Sequence, residues 1–101
     1  MKIAICDDDA ATLQRITDIV SEFAAGKEIS VSSYPRPTSL LEDALHLGGF
    51  DLYILDILMP ALTGMQLASE LRRAGLGGRI LLLTSSRDFA IDAFRVQASN
   101  Y

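Results

Sequence analysis

The stretch from Asp51 to Pro60 reads DLYILDILMP, a run of apolar residues that ends abruptly on a carboxylate. Leu52, Tyr53, Ile54 and Leu55 show no alternation with polar residues, the pattern of a parallel strand buried on both faces. Asp56 stands at its carboxyl end. A charge beside a dry core is costly unless a cation or hydrogen-bond donors meet it. A lone aspartate after a strand ordinarily caps the next helix. Here Met59 precedes Pro60 and is biased away from the α region. Residues 57–59 therefore make a poor first helical turn, and Asp56 is left for other work.

The same punctuation recurs on both sides of this stretch. Ile3 to Cys6 form a first short buried strand, closed by Asp7, Asp8 and Asp9. A helix follows from about Ala10, with Leu13, Ile16, Val20 and Phe23 at helical spacing and Gly26 as its stop. Ile29 to Tyr34 read as a second strand that Pro35-Arg36-Pro37 ends. Ser39 and Glu42 form a capping-box pair for a second helix, with Leu41, Ala44 and Leu45 inward and Gly48-Gly49 as its end. A third helix from about Gly64 buries Leu67, Ala68 and Leu71, and Arg72 and Arg73 suit its C-terminal dipole. Ile80 to Leu83 make a fourth strand, then comes Thr84. Arg87 to Phe94 read as a fourth helix with Phe89, Ala93 and Phe94 inward. Alternating strands and helices joined by right-handed crossovers build a mostly parallel sheet covered on both faces. Its ligands bind beyond the carboxyl ends of the strands, where the strand order reverses. If the first and third strands are neighbours, Asp7, Asp8 and Asp56 share one crevice.

Composition narrows the classes. With 101 residues, 50% hydrophobic and 22% charged, residues 1–101 make one globular α/β domain. A formal net charge of −4 argues against a nucleic-acid surface on this domain, because clustered Lys and Arg drive binding to phosphate backbones. The single cysteine, Cys6, lies in the first apolar run and fits a reducing, cytoplasmic setting. The opening residues meet three aspartates too early for a secretory signal, and no run is long enough to span a membrane.

Three converging carboxylates repel, so one of them holds a proton unless a cation joins them. Magnesium suits such a site: it is hard, prefers oxygen, and is commonly held by one or two carboxylates, waters and phosphate oxygens. Residues 7–9 also suit a plain helix N-terminus. One aspartate is enough for that, so Asp9 is assigned to the cap and Asp7 and Asp8 to the crevice. Thr84 ends the fourth strand as Asp56 ends the third. Its hydroxyl and the Ser85 N–H are placed to hold a phosphoryl oxygen if Asp56 is a nucleophile, and otherwise simply open a helix. His46, alone in a last helical turn, is given no chemistry. Gly75-Leu-Gly-Gly precedes a strand and is a turn, not a phosphate loop.

The acidic pair Asp7-Asp8, the D-x-x-M-P segment Asp56–Pro60, Gly64 and Thr84 together resemble, over the whole chain, the receiver domain of two-component response regulators. The ending SSRDFAIDAFRVQASNY resembles receivers joined to a LytTR-type DNA-binding domain. The resemblance implies a flavodoxin-like doubly wound sheet of order 2-1-3-4-5, with strand five and helix five largely beyond this chain. It implies that Asp56 takes a phosphoryl group from a histidine kinase. Magnesium would be ligated by Asp8, Asp56 and the backbone carbonyl of Leu58, with Asp7 acting through water. Thr84 and Tyr101 would form the switch pair. The implied role is regulatory, in transcription, and not that of an enzyme.

Such receivers also carry a lysine near the end of strand five, which falls a few residues past Tyr101. Its absence keeps a second reading open, an interaction module of receiver type that is not phosphorylated. A magnesium-dependent phosphatase is a more distant rival, because Ile57 to Met59 offer no acid to protonate a leaving group. Without helix five, the first helix's face and the strand-four edge would be uncovered, and the sequence predicts a homodimer through one of them.

Overall fold

The computed structural model describes residues 1–83. Elements follow in the order β1 (Lys2–Cys6), α1 (Ala10–Ala24), β2 (Ser30–Tyr34), α2 (Pro37–Leu47), β3 (Leu52–Asp56), α3 (Gly64–Arg73) and β4 (Arg79–Leu83). All pairings are parallel and the sheet order is β2-β1-β3-β4, as expected for a flavodoxin-like sheet. The fourth helix expected at Arg87 to Phe94, with Phe89, Ala93 and Phe94, lies outside the described residues.

The two-residue period of a strand splits the central side chains between two cores. Ile3, Ile5 and Ile54 gather on one face with partly buried Leu13, Ile16 and Val20 of α1. Ala4, Cys6, Tyr53, Leu55, Ile80 and Leu82 point to the other, where Leu40 and Ala44 of α2 and Leu67, Ala68 and Leu71 of α3 close over them. The sheet is thus wound on both faces, with α1 alone on one side among the described residues. Every helical residue named on the α2/α3 side is fully buried, and each leucine there contributes about 1.5–3 kcal/mol by leaving water.

Three expectations need correction. Phe23 does not face the core: it is 63% exposed, and its ring lies 4.5 Å below the Lys27 Nζ. Leu45 is 54% exposed, and Leu40 takes the inward place assigned to it. The Ser39–Glu42 capping box is absent, because α2 is capped three residues earlier, at Arg36, and Ser39 lies inside the helix. Pro37 occupies the first turn, where its missing N–H costs nothing, after Arg36 as an N-cap without a side-chain bond. A capping box does form at α3, where the Thr63 hydroxyl accepts from the Gln66 N–H (3.1 Å) and the Gln66 carboxamide oxygen accepts from the Thr63 N–H (2.9 Å).

The amino-terminal end of the sheet is bound together through one buried tyrosine. The hydroxyl of Tyr53, fully buried, accepts from the Phe50 N–H at 2.8 Å, and its ring meets Phe50 edge-on at 5.7 Å. Gly78 passes so close, at φ +95°, that a Cβ there would collide with the Phe50 carbonyl and press on the Tyr53 ring. Arg72 donates to the Leu76 and Gly78 carbonyls at 2.9 and 2.6 Å, fastening the turn between α3 and β4.

Candidate functional site

β1 and β3 lie side by side in register, Cys6 opposite Leu55, so both chains reach the carboxyl edge of the sheet together. Beyond that edge the oxygens of Asp7, Asp8 and Asp56 approach to within 4.8 Å of one another. The convergence expected from the sequence is there. Asp7 is buried, and its backbone N–H donates to the Tyr34 carbonyl at 3.2 Å, tying the acidic loop to the end of β2. Its carboxylate accepts from the Asp9 N–H at 2.9 Å. Asp9 caps α1, accepting from the Thr12 N–H at 2.9 Å and the Thr12 hydroxyl at 2.6 Å, the structural duty assigned to it. Asp8 is exposed.

The segment after Asp56 is fixed from three directions. The Ile57 N–H donates to the Leu83 carbonyl at 2.9 Å, the last residue of β4. The Gly64 N–H donates to the Ile57 carbonyl at 3.0 Å, and a Cβ on Gly64 would strike the Asp56 carbonyl oxygen. Only glycine permits that approach. Met59 is buried with its sulfur 3.5 Å from the Cys6 Sγ, which anchors the far side of the loop. Leu58 projects outward, 51% exposed, and its N–H sits 3.4 Å from the Asp56 carboxylate.

Electrostatics follow from this crowding. Burial, then the charge of Asp7, pushes the Asp56 carboxyl up to about 6, against the opposing pull of the Leu58 N–H, with Asp8 adding to the rise. Asp7 is raised by burial first and then by Asp8 and Asp9, while its bond from the Asp9 N–H lowers it. The Cys6 thiol, beneath the cluster, is pushed up to about 12 by burial and by Asp7, Asp56 and Asp8, so it stays protonated. Asp9 is lowered by its bonds from Thr12. Among the described residues the ion pair joins Arg73 to Glu70, far along the chain from these acids. A hard, oxygen-only donor set with no ion-pair partner among the described residues suits a divalent cation.

The acids open onto a cavity of about 450 Å³ that is also lined by Thr12, Ile16 and Leu83. These walls were not foreseen. Thr12 and Ile16 stand four residues apart on α1, and that i, i+4 spacing is the one sequence signal that could have found them. Thr84, Ser85 and Tyr101, expected at this rim and at the switch, lie outside the described residues.

A family model, the response regulator receiver domain, matches residues 3–101. The chain belongs to that family. Among curated relatives, the receiver domain is 29% identical over 102 residues to the positive alginate biosynthesis regulatory protein of Pseudomonas aeruginosa. It is 24% identical over 101 residues to the transcriptional regulatory protein LytR of Staphylococcus aureus. Each match takes in 100% of this chain and 40% of the relative, so the receiver domain spans less than half the length of either protein. A solved Francisella response regulator receiver domain superposes with a TM-score of 0.73 at 21% identity, covering 95% of this chain and 77% of that one. Thermotoga maritima TrrA, a response regulator solved in complex with magnesium and BeF, gives a TM-score of 0.73 at 25% identity, covering 90% of this chain and 75% of its own.

Proposed function

We propose that this receiver domain accepts a phosphoryl group on Asp56 from a histidine kinase in the cytoplasm and thereby switches a protein-interaction surface that controls transcription. The observation that carries the reading is the trio of carboxylates within 4.8 Å at the carboxyl edge of β1 and β3. Asp8, Asp56 and the Leu58 carbonyl would hold magnesium, with Asp7 acting through a bound water. Magnesium there supplies the positive charge that the transferring phosphoryl oxygens need.

In the transfer, an Asp56 carboxylate oxygen bonds to phosphorus while the phosphorus–nitrogen bond of the phosphohistidine breaks, and the electron pair stays on the imidazole nitrogen. The Leu58 N–H orients the attacking carboxylate, and the buried Asp7 is held ready by its bond from Asp9. The Thr84 hydroxyl and Ser85 N–H then bind a phosphoryl oxygen, and Tyr101 follows Thr84. The added charge of nearly two at Asp56 drives the change. Regulatory relatives such as the alginate regulator and LytR support an output in transcription.

Acetyl phosphate with magnesium tests the assignment through intact mass. One phosphate is expected, lost in Asp56→Ala. Label retained in Asp56→Ala overturns it, and no label on the wild-type chain favours the non-phosphorylated interaction module.

A further inference from the structure

β2, Ser30–Tyr34, stands at an edge of the sheet, away from β3 and β4. Among the described residues this strand has a neighbour on one side only, β1. The ladder reveals which of its backbone groups are spent. Ser30 N–H donates to the Met1 carbonyl and the Tyr34 carbonyl accepts from the Asp7 N–H, with Ser32 opposite Ala4 between them. Ser30, Ser32 and Tyr34 therefore turn their N–H and C=O groups toward β1. Val31 and Ser33, alternating with them, turn theirs outward.

Protein edges of this kind are usually blunted by a lysine, an inward charge, a proline or a bulge. This one carries none of them. SVSSY is uncharged, its register with β1 runs unbroken from Ser30 to Tyr34, and the first proline comes after the strand ends. The charges sit at the two flanks instead. Glu28 lies four residues before Ser32 and Arg36 four residues after it. Both are exposed, and neither side chain has a partner among the described residues.

We propose that β2 pairs antiparallel with β2 of a second copy of this chain, about a two-fold axis through Ser32. Val31 of each copy then exchanges both backbone hydrogen bonds with Ser33 of the other, and Ser32 faces Ser32 as the non-bonded pair on the axis. The ladder stops beyond Ile29 and Pro35, since proline has no N–H to give. The same axis sets the flank that carries Glu28 in each copy beside the flank that carries Arg36 in the other, twice over. This reciprocity of charge selects a second copy over an unrelated extended peptide, because an isologous contact must be complementary to itself. The result is one continuous sheet of eight parallel-and-antiparallel strands across both copies' described residues. The two acidic cavities lie at opposite ends of it, both open, so pairing and the chemistry at Asp56 are independent.

Sedimentation velocity on the full chain, from micromolar to millimolar concentration, reads the association. A monomer–dimer equilibrium is expected. Ser33→Pro removes only an outward N–H, leaves the bonds to β1 intact and is expected to give a monomer with the wild-type melting curve. Glu28→Arg and Arg36→Glu each turn two attractive pairs repulsive and are expected to weaken the dimer by about tenfold, while the double reversal restores it. A wild-type chain that stays monomeric throughout overturns the proposal. So does a dimer that survives the single reversals unchanged, and this arm decides the matter even if Ser33→Pro fails to fold.

Discussion

Replacing Asp56 with asparagine is expected to stabilise the metal-free domain. In the folded protein the carboxyl is pushed from 3.8 to about 6 by burial and by its acidic neighbours. A raised folded value means that the fold prefers the protonated acid. The contribution is fully present below about pH 4, and is lost as pH rises through about 6. Undamped, a displacement of that size corresponds to about 3 kcal/mol. Asp56 is partly exposed, and solvent screening reduces this to about 1 kcal/mol at neutral pH. For a domain of this size that is an increase of roughly 4–8 °C in Tm.

The assay is thermal unfolding followed by circular dichroism in EDTA, wild type against Asp56→Asn, at steps from pH 4 to 8. The gap in Tm is expected to open between pH 4 and 6.5 and then level off. Under the proposed function, magnesium is expected to raise the wild-type Tm and shrink the gap, because Asp56 would be one of its ligands. An asparagine variant no more stable than wild type at pH 7.5 in EDTA, or a gap that does not vary with pH, would refute the view that the acids strain the fold against one another.

Two further outcomes test the packing. Leu40→Ala is expected to cost about 2–5 kcal/mol in urea unfolding, since Leu40 is fully buried, whereas Leu45→Ala stays within about 0.5 kcal/mol. Equal losses would mean that α2 is rotated from its described orientation. Gly64→Ala forces a methyl against the Asp56 carbonyl, and is expected to cost about 1–3 kcal/mol and to weaken magnesium binding by titration calorimetry. An unchanged affinity would show that the loop's close packing does not position the site.

The apolar run ending at Asp56 was legible because a strand covered on both faces carries no competing pattern. Asp7 and Asp8 were legible because strand order alone brings them beside it. Phe23 was misread for the opposite reason. Its spacing continues the Leu13, Ile16, Val20 series, but periodicity tells which residues share a helix flank, not where the sheet beneath ends. The α2 error came from reading Ser39 as a cap when Pro37, with φ already fixed for a helix, opens the element earlier. Leu40 and Ala44, four residues apart, share the buried face, and Leu45 lies outside it. The cavity walls at Thr12, Ile16 and Leu83 depend on how α1 is tilted against the sheet, a tertiary property that local sequence does not encode.

The buried Tyr53 at the far end of the sheet has a consequence for how this sequence can drift. Its hydroxyl satisfies the Phe50 N–H, and a Cβ added at Gly49 would come within 3.2 Å of that hydroxyl, one at Gly78 within 3.1 Å of the ring. A change to phenylalanine would orphan a buried donor, at about 1–3 kcal/mol. A change to a small aliphatic residue would leave a void as well. Any side chain at Gly78 would meet both the ring and the Phe50 carbonyl. Positions 49, 50, 53 and 78 are therefore tied in their mutational histories. In descendants of this chain they are expected to change as a set or to stay as they are, although none of them belongs to the acidic cluster of Asp7, Asp8 and Asp56.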